Sequence, residues 1–98
     1  MFTVQLTESF QSWLDGLRDI RAQVSIARRN ARMAEGNLGD VKPVGDGVSE
    51  LRVDLGPGYR VYYTIRQGQI ILLLAGGDKS SQQKNIKQAL AIIRTLEE

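Results

Sequence analysis

The sequence predicts an α+β domain, in which an antiparallel sheet carries an N-terminal helical hairpin and a C-terminal helix on one face. Three observations support this fold class. Apolar residues recur at helical spacing in the N-terminal third, alternate with polar residues between Glu50 and Tyr63, and return to helical spacing near the C-terminus. The 98 residues suffice for one compact domain, so we expect residues 1–98 to form a single unit.

The N-terminal part predicts a strand followed by two helices. Alternation over residues 2–6 indicates a short strand, and Thr7 is a candidate cap for a first helix. A second helix is expected to start near Asp19 and to end at about Ala34. The apolar stripe that we expect to face the core comprises Ile20, Val24, Ala27 and Ala31.

The strongest strand pattern is a hairpin. Residues 49–55 and 59–65 alternate between apolar and polar side chains, and a Gly-Pro-Gly turn joins them. If Leu55 and Tyr59 flank this turn as partners, the odd-numbered residues face the core and the even-numbered ones form a polar face. The expected cross-strand pairs of the polar face are Asp54 with Arg60, Arg52 with Tyr62, and Glu50 with Thr64.

The C-terminal part predicts a buried strand and a final helix. The apolar run over residues 70–75 indicates a central strand that is covered on both faces. Residues 76–79 read as a glycine-rich loop, and Ser80 with Gln83 forms a capping-box pattern for the last helix. The predicted order is β-α-α-β-β-β-α, and a short additional strand is compatible with residues 41–44.

Composition narrows the possible chemistry. The chain has no cysteine and no histidine, which excludes disulfides, thiolate zinc sites and Ser-His or Cys-His catalysis. A hydrolytic activity would have to use Lys, Arg, Glu, Asp or Tyr, and we expect no metal and no cofactor. No basic segment followed by an apolar run marks a secretory signal, and no apolar run is long enough for a bilayer, so the expected location is the cytoplasm.

The polar face of the hairpin is the first candidate site. It brings Glu50, Arg52, Arg60 and Tyr62 together in the predicted pairing. Two arginines beside a tyrosine and a carboxylate could bind a phosphodiester, and Tyr62 could stack on an unpaired base. Alternating charges on an ordinary solvated strand face produce the same pattern, however, and the pattern alone favours that interpretation.

Two further basic groups are weaker candidates. Lys79 follows two glycines at the start of the last helix, where it could hold a phosphate, although the spacing of a P-loop is missing. Arg21, Arg28 and Arg32 share one side of the second helix and could meet RNA or an acidic partner. A solvated helix face is somewhat favoured for these arginines.

Four blocks of sequence resemble a known family. Residues 36–42, 47–52, 56–63 and 74–82, in this order, are similar to the phage Gp49-like and HigB-like addiction-module killer proteins of the RelE/ParE toxin superfamily. The resemblance covers nearly the whole chain. It implies a compact RelE-like fold.

The resemblance also implies a function. It implies the toxin of a type II toxin–antitoxin pair, which inhibits translation and growth as an mRNA endoribonuclease. The resemblance implies cleavage of mRNA, either ribosome-dependent or free, without a metal and through attack of the ribose 2′-hydroxyl on the adjacent phosphate. The implied partners are a helix-turn-helix antitoxin, mRNA and the ribosome, with no role for a membrane.

The family motifs place roles on particular residues. Arg60 matches a site arginine that follows Gly-Tyr, and Lys79 matches a basic residue after the central strand. Arg52 and Glu50 match polar positions on the preceding strand. Further expected RNA contacts are Lys42, Arg66 and Lys84.

One departure from the family leaves alternatives open. Many relatives place a catalytic Tyr or His near the start of the last helix, where this chain has Asn85 instead. Glu50, Tyr62 or a neutral Lys79 remain candidates for the general base. A ParE-like inhibitor of DNA gyrase and a non-catalytic antitoxin-binding module are therefore alternative functions.

Overall fold

Five strands form one mixed sheet with helices on both of its faces. The computed structural model describes residues 1–97. In chain order the elements are β1 (Thr3–Leu6), α1 (Glu8–Asp15), α2 (Ile20–Ala34), β2 (Val41–Gly45), β3 (Val48–Val53), β4 (Tyr59–Arg66), β5 (Ile70–Asp78), a 3₁₀ turn (Lys79–Ser81) and α3 (Gln82–Glu97). The strand order is β1-β5-β4-β3-β2. The predicted α+β fold, with its N-terminal helical hairpin and C-terminal helix, is confirmed.

The layers differ from the expectation in two respects. Strand β1 runs parallel to β5, while the other neighbours are antiparallel. Helices α1 and α2 cover one face of the sheet, and α3 covers part of the other face. Within residues 1–97 no helix combines the length and the apolar character needed to cross a bilayer.

Side-chain caps set the starts of the two N-terminal helices. The Phe10 amide donates to the Thr7 hydroxyl oxygen (3.2 Å), and the same hydroxyl lies 2.9 Å from the Leu73 carbonyl oxygen, to which it donates. The Arg21 amide donates to the Asp19 carboxylate at the start of α2 (3.0 Å). Short oxygen-bearing side chains satisfy the free N–H groups of a first turn, which is why both starts were predictable.

The core-facing side of α2 differs from the prediction. The predicted residues Ile20 and Val24 are 72% and 45% exposed. Helix α2 carries two apolar stripes about 150° apart at about 100° per residue, and periodicity alone does not decide which one faces the sheet. The Gln23 side-chain amide fixes the rotation by donating to the carbonyl oxygens of Leu14 (3.1 Å) and Leu17 (2.9 Å). The residues of α2 that are buried are Ala22, Ile26 and Met33.

The register of the β3–β4 hairpin is also different. Arg52 pairs with Arg60, and Glu50 pairs with Tyr62, so the expected pairing was wrong by two residues. Strand β3 ends at Val53, two residues earlier than expected, because the turn occupies residues 54–58 and the Gly58 amide donates to the Leu55 carbonyl oxygen (3.1 Å). A shift of two residues keeps every side chain on its face, so the predicted core and polar faces survive.

A bulge changes the alternation between β4 and β5. Tyr62 pairs with Ala75, whereas the next residue, Tyr63, pairs with Leu73. Leu74 and Ala75 therefore both pack with the core under α3. As a consequence Gly76 faces α1 and Gly77 faces α3.

Strand β5 continues through the two glycines, so the loop predicted over residues 76–79 is wrong. A side-chain carbon on Gly76 would overlap the Trp13 ring, and one on Gly77 would overlap the Asn85 carboxamide. The glycines thus allow α1 and α3 to approach the strand closely from opposite faces. Glycine pairs more often mark turns, which is why the sequence suggested a loop.

The cap of the last helical segment lies two residues earlier than predicted. The Ser80 amide donates to the Asp78 carboxylate (2.9 Å), and the Asp78 amide donates to the Ser81 hydroxyl oxygen (3.3 Å). The capping box is therefore formed by Asp78 and Ser81 instead of Ser80 and Gln83. The Ser80 hydroxyl, which also donates to this carboxylate, holds the pKa of Asp78 below its ordinary value.

The contact between Gly76 and Trp13 leads to a prediction about stability. We expect Gly76→Ala to lower the free energy of unfolding by about 1–3 kcal/mol, because the methyl group overpacks against the indole. In a Trp13→Leu background the same substitution should cost less, since the ring is gone. Urea unfolding of the two single variants and the double variant measures this coupling. Equal costs in both backgrounds would show that the ring is not the obstacle.

Candidate functional site

A buried carboxylate lies at the centre of the candidate site. Glu50 in β3 has no exposed surface and faces α3. Its Oε1 accepts from Gln82 Nε2 (2.7 Å) and from the Tyr62 hydroxyl (3.3 Å), and its Oε2 accepts from Arg52 Nε (3.2 Å). Burying a carboxylate is costly unless donors surround it, so these three contacts explain how the fold tolerates the charge.

Arg60 is the second cation at this carboxylate. Its Nε lies 3.5 Å from Glu50 Oε1, and this contact is an ion pair without a hydrogen bond. Its Nη1 donates to the carbonyl oxygens of Gly58 (3.2 Å) and Tyr59 (3.3 Å). The Arg60 side chain is only 12% exposed, and its guanidinium is held from two sides.

Part of each guanidinium is left for a ligand. Among the hydrogen bonds of the described residues, the two outer nitrogens of Arg52 have no protein acceptor. Nη2 of Arg60 has none there either. The two arginines are direct cross-strand partners, so their like charges repel and the single carboxylate of Glu50 offsets one of them. A pair of guanidinium groups with one excess positive charge is suited to bind an oxyanion such as a phosphodiester.

Two lysines lie at the margins of this group. A side-chain carbon on Gly58 would lie 3.3 Å from Arg60 Nη1 and 3.8 Å from Lys79 Cβ, so Lys79 and Arg60 flank the same turn. Lys42 in β2 is the cross-strand partner of Glu50 and is exposed. Partners across a ladder share a face, so Lys42 extends the positive surface towards the edge of the sheet.

Two of the predicted RNA contacts lie elsewhere. Arg66 is at the opposite end of β4 from Arg60, about 20 Å away at about 3.3 Å per residue. Lys84 is exposed, and helical geometry puts it on the side of α3 opposite to the residues that face the sheet. The structure therefore brings together Glu50, Arg52, Arg60 and Tyr62, with Lys42 and Lys79 beside them, and leaves Arg66 and Lys84 outside.

Tyr62 does not have the exposed ring that base stacking requires. Its side chain is fully buried below α3, so the face that the pattern suggested was solvated is partly covered. Burial, followed by the charge of Glu50 and the hydrogen bond to it, raises the pKa of the Tyr62 hydroxyl far above its ordinary value. The hydroxyl is thus a stable donor to Glu50 and a poor proton acceptor.

Gln82 is a site residue that the sequence reasoning missed. It begins α3 and makes the shortest hydrogen bond to Glu50 (2.7 Å), so it links the helix to the polar group. The available signal was its position: Gln82 precedes Ile86, Ala89 and Ile93 at spacings of four, three and four, on the stripe that faces the sheet. A polar residue on a core stripe indicates a buried polar partner.

Comparison with known proteins finds a family whose sequence model matches most of this chain. The family described as phage-derived Gp49-like protein matches residues 12–97, which include every candidate site residue named above. An uncharacterised protein of Haemophilus influenzae is 47% identical over 93 residues, which cover 95% of this chain and 94% of that protein. The similarity extends over both faces of the sheet and all three helices.

The buried hydroxyl of Tyr62 leads to a prediction about stability and pH. Tyr62→Phe should lower the free energy of unfolding at neutral pH by about 0.5–1.5 kcal/mol, because Glu50 loses one donor. A raised pKa means that the folded protein keeps this proton when the unfolded chain has lost it. Stability that is present below pH 10 is therefore lost as the pH rises further.

The measurement is urea unfolding of both proteins between about pH 8 and pH 11. We expect the free energy of unfolding to fall more steeply in the wild type than in Tyr62→Phe above about pH 10. Identical slopes would contradict a buried, protonated Tyr62.

Proposed function

Since this chain belongs to the phage-derived Gp49-like protein family, we propose that it is the toxin of a toxin–antitoxin pair and that it arrests growth by cleaving mRNA. Family membership supports a killer protein with an antitoxin partner. The observation that carries the endoribonuclease proposal is the pair Arg52 and Arg60, which one buried carboxylate holds in place while both outer nitrogens of Arg52 and Nη2 of Arg60 have no acceptor among the described residues.

The proposed reaction is an internal transfer at the RNA backbone. The ribose 2′-oxygen forms a bond to the adjacent phosphorus, and the bond from phosphorus to the 5′-oxygen of the next nucleotide breaks. The 2′-hydroxyl gives up its proton and the departing 5′-oxygen gains one, which leaves a 2′,3′-cyclic phosphate and a 5′-hydroxyl. Negative charge builds on the phosphate oxygens during attack, and the open N–H groups of Arg52 and Arg60 would neutralise it.

Glu50 enters this proposal as a positioning residue. Its oxygens already accept from Arg52, Tyr62 and Gln82, and it has no exposed surface from which to reach an RNA. Its charge orients both guanidinium groups before substrate arrives, so that little reorganisation is needed during the reaction. Arginine stays protonated in proteins, so Arg52 and Arg60 act as charge stabilisers.

The margins of the site suit a polyanion. Lys42 and Lys79 are exposed on either side of the arginine pair, where they can contact neighbouring phosphates of the same strand. The similarity to HigB- and RelE-type toxins supports translated mRNA on the ribosome as the substrate. It also supports a helix-turn-helix protein as the antitoxin.

The central prediction concerns Arg60. We expect Arg60→Ala to abolish growth arrest and to lower RNA cleavage by about 10²–10³-fold, since a preorganised charge stabiliser is lost. Arg60→Lys should not restore activity, because a lysine ammonium that took over the Nη1 contacts to Gly58 and Tyr59 would leave no second nitrogen, corresponding to Nη2, for the phosphate. Arg18→Ala is the matched control, because Arg18 is an exposed arginine next to α2 on the other face of the sheet.

The measurement is the mapping of RNA 5′ ends after induction of each variant, together with growth curves. Urea unfolding verifies that each variant is folded. If folded Arg60→Ala still cut RNA and arrested growth, the site assignment would be wrong. Wild-type protein that poisoned DNA gyrase and left translated mRNA intact would establish the ParE-like alternative. Harmless overexpression without the antitoxin would indicate a non-catalytic binding module.

A second prediction tests the charge of Glu50 while both arginines remain present. Glu50→Gln preserves the shape of the side chain but removes its charge, so Arg52 and Arg60 repel each other without compensation. We expect cleavage to fall by about tenfold or more, with kcat affected more than KM, since the arginines are present but not positioned. Multiple-turnover cleavage of translated mRNA at several mRNA concentrations measures both constants. An unchanged kcat would remove Glu50 from the proposed site.

A further inference from the structure

Helix α2 exposes an apolar stripe that the fold does not use. Ile20 is 72% exposed and Val24 is 45% exposed, and Ala27 and Ala31 on the same side are exposed as well. At about 100° per residue the stripe lies about 150° from the buried side of the helix. An aligned set of exposed apolar residues on one helix differs from the scattered ones that are normal on protein surfaces.

The same helix concentrates the positive charge of the protein. Residues 20–34 contain four arginines and no acidic residue, so the rest of the chain carries nine basic and eleven acidic residues. The exposed arginines of α2 lie along one flank of the apolar stripe, about 90° from its centre. They are Arg21, Arg28 and Arg32.

The fold leaves this flank largely uncompensated. Arg21 Nε lies 3.9 Å from the Asp19 carboxylate, and the Arg21 side chain is 87% exposed, so this pair neutralises little. Among residues 1–96 no acidic side chain lies within ion-pair distance of Arg28 or Arg32. The flank is thus available to carboxylates from outside the chain.

A groove continues the stripe towards α1. Val24 and Ala27 form one wall, and Leu14, Asp15 and Gln23 complete a groove of about 310 Å³. The small side chains of Ala27 and Ala31 allow another backbone to come close, as in helix pairs with axes 8–10 Å apart. The shape therefore suits an elongated apolar segment that lies along α2.

We infer that α2 is the docking surface for an amphipathic helix of the antitoxin, whose apolar side covers Ile20 and Val24 and whose carboxylates face the arginine flank. The choice of partner rests on the proposed function. Charge complementarity and the apolar stripe together favour this occupant. An RNA would use the arginines but would leave the apolar stripe exposed to water.

The position of the surface makes the inference separable from the catalytic proposal. Helix α2 packs on one face of the sheet, whereas Glu50, Arg52 and Arg60 lie on the face that α3 covers. A helix bound to α2 therefore does not contact the arginine pair. Substitutions on α2 should change partner binding, and substitutions at Arg60 should not.

The experiment measures binding of the full-length chain to the purified product of the adjacent gene by titration calorimetry. Val24→Glu should weaken binding by about tenfold or more, since it places a charge in an apolar contact. The double variant Arg28→Glu with Arg32→Glu should weaken binding and reduce its dependence on salt. Leu96→Glu is the matched control, because Leu96 is also 45% exposed on a helix, and it should bind within about twofold of the wild type, as should Arg60→Ala.

Each outcome decides a separate point. Unchanged binding by Val24→Glu would overturn the assignment of α2 as the docking surface. Growth arrest by the wild type would still support the proposed function. Absence of any binding to the wild type would overturn the choice of partner and the inference with it. If Val24→Glu and the arginine variants instead weakened binding of a single-stranded 20-nucleotide RNA and not of the protein, α2 would be an RNA surface. Harmless overexpression with intact binding would refute the toxin function alone.

Discussion

The site depends on the burial of one negative charge. Removing a carboxylate from water costs several kcal/mol unless charged and polar donors replace the solvent. Glu50 has no exposed surface, and its donors come from three different elements: Arg52 in β3, Tyr62 in β4 and Gln82 in α3. The need to satisfy this carboxylate therefore fixes the side chains of two strands and the start of a helix relative to one another.

The same requirement explains the close approach of α3 to the sheet. Gln82 reaches Glu50 only if the first turn of α3 lies directly on β5, and Asn85 in that turn occupies the space where Gly77 would carry a side chain. Gly77 is in turn the cross-strand partner of Arg60. A missing side chain in β5 thus permits the helix contact that holds the carboxylate, and the carboxylate holds the arginines.

Much of this fold could be predicted from local signals in the sequence. The features that depend on contacts between distant elements could not. The cap at Thr7, the start of α2 near Asp19 and the division of the hairpin into two faces follow from nearest neighbours and periodicity. The register, the bulge after Tyr62 and the rotation of α2 depend on contacts between distant elements. The sequence placed Glu50 and Arg60 on the polar face of the hairpin, and a family motif pointed to Arg60. Their burial and the contact from Gln82 could not be predicted without knowing where α3 lies.

The net charge of +2 includes two different kinds of positive surface, the arginine pair of the candidate site and the exposed arginines of α2. Arg60 is 12% exposed and is held by a carboxylate and two carbonyl oxygens, so its geometry is fixed before a ligand binds. The arginines of α2 are exposed beside apolar side chains and have no such restraint. A guanidinium pair held by a buried carboxylate favours one oxyanion in one orientation, whereas exposed arginines along an apolar stripe tolerate carboxylates at several positions on a helix. The two faces of the sheet are therefore suited to different partners, although they carry the same kind of residue.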